Sequence, residues 1–99
     1  MKGILEQLNQ VFENRVRLAI MSVLVVNEAM DFNSLKRTLD LTDGNLASHV
    51  GTLEKSKYVA VNKKFVGKKP LTTYSATSLG RLAFSDHLDA LEQLIRKSQ

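Results

Sequence analysis

The chain has no cysteine and no tryptophan, one proline and five glycines in 99 residues, and 6% aromatic side chains. Without cysteine there are no disulfides, no thiolate metal ligands and no cysteine nucleophile, and a reducing compartment, the cytoplasm, is the expected location. The lone proline, Pro70, leaves no Pro-rich linker, and no repeat or low-complexity tract is visible, so residues 1–99 read as one domain. That length suits one hydrophobic core rather than a two-domain enzyme. Long apolar runs are absent too. The longest, Leu18 to Val26, is broken by Ser22 and falls short of the roughly 20 residues of a membrane span, so no bilayer crossing is expected. Lys2 and Glu6 leave no room for the apolar core of a secretory signal, so the mature chain is expected to begin here.

Negative charge is missing from a long internal stretch. Fourteen basic against ten acidic residues give a formal charge of +4, and no acid lies between Glu54 and Asp86. Lys55, Lys57, Lys63, Lys64, Lys68, Lys69 and Arg81 all fall in that interval, half of the positive charge. Such a cluster is either a solvated face that keeps the chain soluble or the footprint of an acidic partner, and its structural setting must decide.

What is present is mostly helical patterning. Ile4, Leu5, Leu8, Val11 and Phe12 form the apolar stripe of a short amphipathic helix. From Asn14 to Asn27 the chain is apolar nearly all round, through Val16, Leu18, Ile20, Met21, Val23, Leu24 and Val25, which predicts a helix enclosed by others. Asn33 or Ser34 then caps a short helix carrying Leu35 and Leu39, and Asp40 to Thr42 is a tight break. Thr42 caps a third helix to about Lys55, with Asp43 at its positive end.

That third helix is two-sided. Leu46, Val50 and Leu53 share one arc, while Gly44, Ala47, Ser48, Gly51 and Lys55 lie opposite. A face made only for solubility would carry long charged side chains, which are better helix formers than Gly, Ser or Asn; small ones suit close approach by a partner. Val59, Val61 and Phe65 then alternate with Ala60, Asn62 and Lys64, Gly67 and Pro70 punctuate, and Thr72 to Ala76 returns, a hairpin with a lysine-rich tip. Thr77 caps a last helix in which Phe84, Leu88, Leu91 and Ile95 recur with coiled-coil-like spacing.

Three segments in register, Asn14-Arg-Val-Arg-Leu-Ala-Ile, Leu41-Thr-Asp-Gly-Asn-Leu-Ala-Ser-His-Val and Phe65-Val-Gly-Lys-Lys-Pro-Leu-Thr-Thr-Tyr, resemble the winged helix-turn-helix transcriptional regulators of the MarR/ArsR-like kind, in their short form. The resemblance spans roughly Phe12 to Leu94. It implies a mainly α fold with a small β-hairpin, a third helix that enters the DNA major groove, and a wing on the phosphates or in the adjacent minor groove. Chemistry suits each role. Thr42, Asn45, Ser48 and Thr52 can bond bases or phosphates, and Gly44 lets the backbone approach. Asn45 is the best base-reading candidate, able to pair with adenine through both carboxamide ends, or else is an ordinary polar residue of the first turn. Lys55, Lys63, Lys64, Lys68 and Lys69 suit phosphate neutralisation.

Other polar groups carry less. His49 lies at the boundary of core and groove, as a structural or a phosphate-contacting histidine. A catalytic Ser48–His49 pair is set aside because helix neighbours point about 100° apart and no third orienting group is evident, so no enzyme is expected. Asp86, His87 and Asp89 are similar to ligands some arsenic-type repressors carry, but a zinc site needs about four ligands, which with no Cys and two His the chain could complete only across a dimer; the group reads instead as a solvated helix face, and no metal or cofactor is expected. Two departures from the family pattern stand out. Lys57 sits where these regulators place Gly after the recognition helix, so that helix end is expected to be built differently. Ser78 replaces an acid that commonly follows the capping Thr.

Apolar stripes in both terminal segments, 1–13 and 78–97, exceed what one small core can cover. They predict a homodimer joined through Ile4, Leu5, Leu8, Phe84, Leu88, Leu91 and Ile95, reading a palindromic duplex, most simply as a repressor. No effector pocket is read from the sequence, although a small-molecule effector fits this class of regulator. The competing reading is a winged-helix module that binds protein, for which exposed aromatics on the third helix would be expected instead of Gly, Ala and Ser.

Overall fold

A computed structural model describes residues 2–97; Met1, Ser98 and Gln99 of the expected domain lie outside the described residues. The first helix, α1 (Lys2–Gln7), stops short of the stripe that suggested it, and a separate 3-10 turn follows at Gln10–Glu13. Asn9 causes the break. Its side chain accepts from the Val11 N–H and caps the turn, while its own N–H donates to His87 Nδ1 at 3.0 Å instead of continuing a helix. Asn14 then caps α2 (Arg15–Val26) by accepting from the N–H groups of Val16 and Arg17. The apolar face of α2 is the centre of the core, with Ile20, Met21 and Leu24 fully buried.

Strand β1 (Met30–Asp31) and helix α3 (Phe32–Leu39) follow. The cap of α3 is Asp31, not Asn33 or Ser34: its carboxylate accepts from the Ser34 N–H and, at 2.6 Å, from the Ser34 hydroxyl. Those bonds hold the Asp31 carboxyl below its ordinary pKa range. Asp40 ends the helix in the left-handed region, φ 52°, and the expected Thr42 caps α4 (Asp43–Lys55) through the Asn45 N–H at 3.1 Å. Helices α2 to α4 thus form a helix-turn-helix around Leu35, Leu46, Val50 and Leu53.

The hairpin is longer than its apolar alternation suggested. Strands β2 (Val59–Val66) and β3 (Lys69–Ala76) pair antiparallel, and β1 adds to the other side of β3 through Met30 and Asp31, giving the order β1-β3-β2. Strand β3 begins at Lys69 rather than Thr72. Pro70 is tolerated because it lies beyond the two-residue reach of β1, where β3 is an edge. Val59 and Tyr74 anchor the inner end in the core, whereas Phe65 leaves it.

Thr77 opens α5 (Ser78–Lys97), as its residue type predicts, accepting from the Gly80 N–H and donating to the Lys57 carbonyl. Phe12 ties the terminal elements together, stacking on Tyr58 and meeting Phe84 edge-on, both at 5.4 Å between ring centres.

Candidate nucleic-acid interface

The face of α4 opposite Leu46, Val50 and Leu53 is bare. Gly44, Asn45, Ala47, Ser48 and Lys55 are exposed, Gly51 and Thr52 are half-buried, and a methyl group built on Gly44 or Gly51 would meet no atom within 4 Å. No packing within the chain requires Gly44 or Gly51 to be small. Asp43, an acid at the start of this face, is paired with Lys36 of α3 at 2.8 Å, which offsets a charge that would repel phosphate.

Each polar group on α4 has a defined capacity. Thr42 Oγ1 accepts from Asn45, so its hydroxyl proton remains available. Thr52 spends its proton on the Ser48 carbonyl and is left as an acceptor. The exposed Asn45 borders a surface cleft shared with Arg15 of α2, a second cation that the sequence pattern did not single out.

His49 is half-buried at the flank, where its Nδ1 lies 3.2 Å from a terminal nitrogen of Arg17. A guanidinium only donates, so Nδ1 accepts and the ring proton sits on Nε2. Arg17 is itself fixed by donating through Nε to the Val11 carbonyl at 2.7 Å. This relay, joining residues 32 apart in sequence, was invisible to helical periodicity; only the packing of α2 on α4 creates it.

The wing is cationic and solvated. Lys63, Lys64, Lys68 and Lys69 are all exposed, around a turn whose Gly67 has φ +66°. Arg81, from the same acid-free stretch, is used elsewhere: it donates to the Val25 carbonyl at 2.8 Å and caps the end of α2. Lys57 adopts the left-handed backbone, φ 66°, so the helix end is built in the glycine manner without glycine, at a cost of about 1 kcal/mol. The expectation of a different construction was wrong because the Lys57 carbonyl and the neighbouring Tyr58 backbone are pinned by Thr77 and by Leu53.

His87 also departs from its reading as part of a solvated face. It is 4% exposed, accepts from Asn9 and lies against the Phe12 ring. Burial pushes its pKa down, partly opposed by Glu13. Asp86 and Asp89 point to solvent, and among the described residues no group of three His, Cys, Asp or Glu could hold a metal ion.

Of the apolar stripe assigned to dimerisation, Ile4 and Phe84 are buried within the chain and Leu8 is half-buried, whereas Leu5, Leu88, Leu91 and Ile95 are exposed. Leu88 and Phe84 also edge an apolar groove against α2, lined further by Leu18, Ala19, Val25 and Val26. Among the described residues no helix is long and apolar enough to cross a membrane.

These parts, a helix-turn-helix with a bare second helix and a cationic hairpin, define a winged-helix DNA-binding protein. The chain belongs to the family of winged-helix DNA-binding domains, whose family model matches residues 16–95. It is 35% identical over 85 residues to the uncharacterised protein MJ0432 of Methanocaldococcus jannaschii, covering 86% of this chain and 92% of that one. The structure of a transcriptional regulator homologue from Pyrococcus horikoshii OT3 is 31% identical, with a TM-score of 0.86 over 99% of this chain and 95% of that one. The fold also matches that of reduced AbfR bound to DNA, with a TM-score of 0.74 at 21% identity over 91% of this chain and 62% of that one.

Proposed function

We propose that this chain is a sequence-specific transcriptional regulator that binds a palindromic duplex as a homodimer, most simply as a repressor that blocks polymerase. The carrying observation is the exposed face of α4, with Gly44, Ala47 and Ser48, together with a wing that bears lysines and no acid. Small side chains let the helix backbone sink into a major groove. Asn45 then reads a base edge, Ser48 bonds base or backbone atoms, Thr52 accepts from a base amino group, and Thr42 donates to phosphate. Arg17 holds His49 with Nε2–H free to donate to a phosphate beside the groove. Lys55 and the wing lysines neutralise phosphates, supplying affinity more than specificity.

The exposed Leu5, Leu88, Leu91 and Ile95, with the adjoining groove, form the surface for a second copy. Pairing there relates two recognition helices by a twofold axis, so that two half-sites lie about one helical turn, roughly 34 Å, apart. The full chain should enrich an inverted repeat from random duplexes, with log affinity falling against log salt at a slope near −7 if each protomer neutralises about four phosphates. Enrichment of no duplex would exclude the reading. Asn45→Ala should lower discrimination between the selected and a scrambled duplex by about tenfold or more, and undiminished discrimination would remove Asn45 from base reading.

A further inference from the structure

Phe65 and Val66, at the outer end of β2, are 73% and 60% exposed. Strand alternation places Val59, Val61, Lys63 and Phe65 on one face of the hairpin, opposite Ala76, Tyr74, Thr72 and Pro70. At the inner end this face is packed, with Val59 and Tyr74 buried. At the outer end it has run past the body of the molecule, and Phe65 makes none of the ring contacts that join Phe12, Phe32, Tyr58, Tyr74 and Phe84. A threonine would hold the strand as well and expose less apolar surface. The tip therefore carries an aromatic ring that the fold does not use.

Charge identifies what the ring meets. Lys63 shares its face, Lys64 and Lys69 lie on the other face of the same hairpin end and Lys68 in its turn, with no carboxylate between Glu54 and Asp86 to relieve them, so a second wing or a basic partner would be repelled and a polyanion attracted. Resting on the DNA-binding reading above, we propose that the wing tip enters the minor groove and that Phe65 is an apolar wedge there, partly unstacking a base step and bending the duplex toward the major groove. Unstacking costs a few kcal/mol, and the bend offsets it by bringing more backbone onto the lysines.

The test uses the full chain and the duplex that it selects, with 2-aminopurine placed at successive steps beneath the wing and a donor–acceptor dye pair on the duplex ends. Binding should raise 2-aminopurine emission at one step and shorten the end-to-end distance. Phe65→Ala, which alters an exposed side chain, should lose about tenfold in affinity together with both signals while keeping the salt slope. Phe65→Trp supplies the chain's only tryptophan, and its emission should be quenched by the duplex. Wild-type-like affinity and 2-aminopurine signal in Phe65→Ala overturn the wedge, as does weaker binding with both signals intact. So does tryptophan emission that responds to phosphatidylserine vesicles and not to duplex. If the wild-type chain selects no duplex, the DNA-binding reading itself has failed.

Discussion

Gly80 has no room for a side chain, since a methyl group there would stand 2.1 Å from the Tyr58 carbonyl oxygen. That oxygen also accepts from the Thr77 N–H, so the close approach of α5 to the start of β2 depends on glycine. Gly80→Ala should destabilise the fold by about 3 kcal/mol, read as a lower urea midpoint. His87 sets a pH limit at the same junction. Its folded pKa lies below the unfolded value of about 6.5, so its neutral-state stability is complete above that pH and declines as pH falls from there through the folded pKa. Protonation of Nδ1 would break the Asn9 bond and set a cation against Phe12. His87→Asn, which keeps an acceptor near Nδ1, should show a smaller drop in melting temperature between pH 7 and 5.5 than the wild type; equal drops would assign the acid sensitivity elsewhere. Neither role shows in sequence: Gly80 looks like a weak helix residue, and His87 like part of a polar group with Asp86 and Asp89.

At the scale of elements, two helix starts were legible because a cap is a local signal. Thr42 and Thr77 each bond an N–H three residues on, and both were read from residue type and position alone, whereas Asn14 reads only as the start of an apolar stretch and the pattern places the cap of α3 at Asn33 or Ser34 instead of Asp31. The break at Asn9 was not legible, since half of it is a bond to a residue 78 positions away. Among the candidate site residues, the α4 face and the wing lysines were legible from composition, while Arg17 beside His49 and Lys36 beside Asp43 needed the packing of neighbouring helices. The wing lysines are solvated point charges, so replacing Lys68 and Lys69 with alanine should weaken all duplexes alike and flatten the salt slope of a dimer by about 4 units. An unchanged slope in filter-binding titrations would take the wing off the phosphates. The same substitution should leave the melting temperature within about 2 °C, because these exposed side chains support no packing.

The whole molecule measures 56 × 25 × 21 Å, an elongated shape with α5 bare along Leu88, Leu91 and Ile95. If that stripe joins two copies, Leu88→Glu with Leu91→Glu should yield a monomer by light scattering, roughly halve the salt slope and leave the circular dichroism spectrum unchanged. A dimer that persists would place the interface elsewhere. The face of α5 that the chain buries itself is centred on His87, between Gly80, Phe84 and Ala90, and only overlaps the stripe read from apolar spacing. Hydropathy does not count a histidine or a glycine as core. By itself the sequence determined the order and type of the long elements, the bare side of α4 and the acid-free wing, because periodicity, capping and charge are properties of near neighbours along the chain. Only the tertiary structure decided that His87 is interior, that Ile4 and Phe84 belong to the chain's own core and that Phe65 stands clear of it. Burial depends on which surfaces meet across long separations, and no local pattern encodes where the body of the molecule stops.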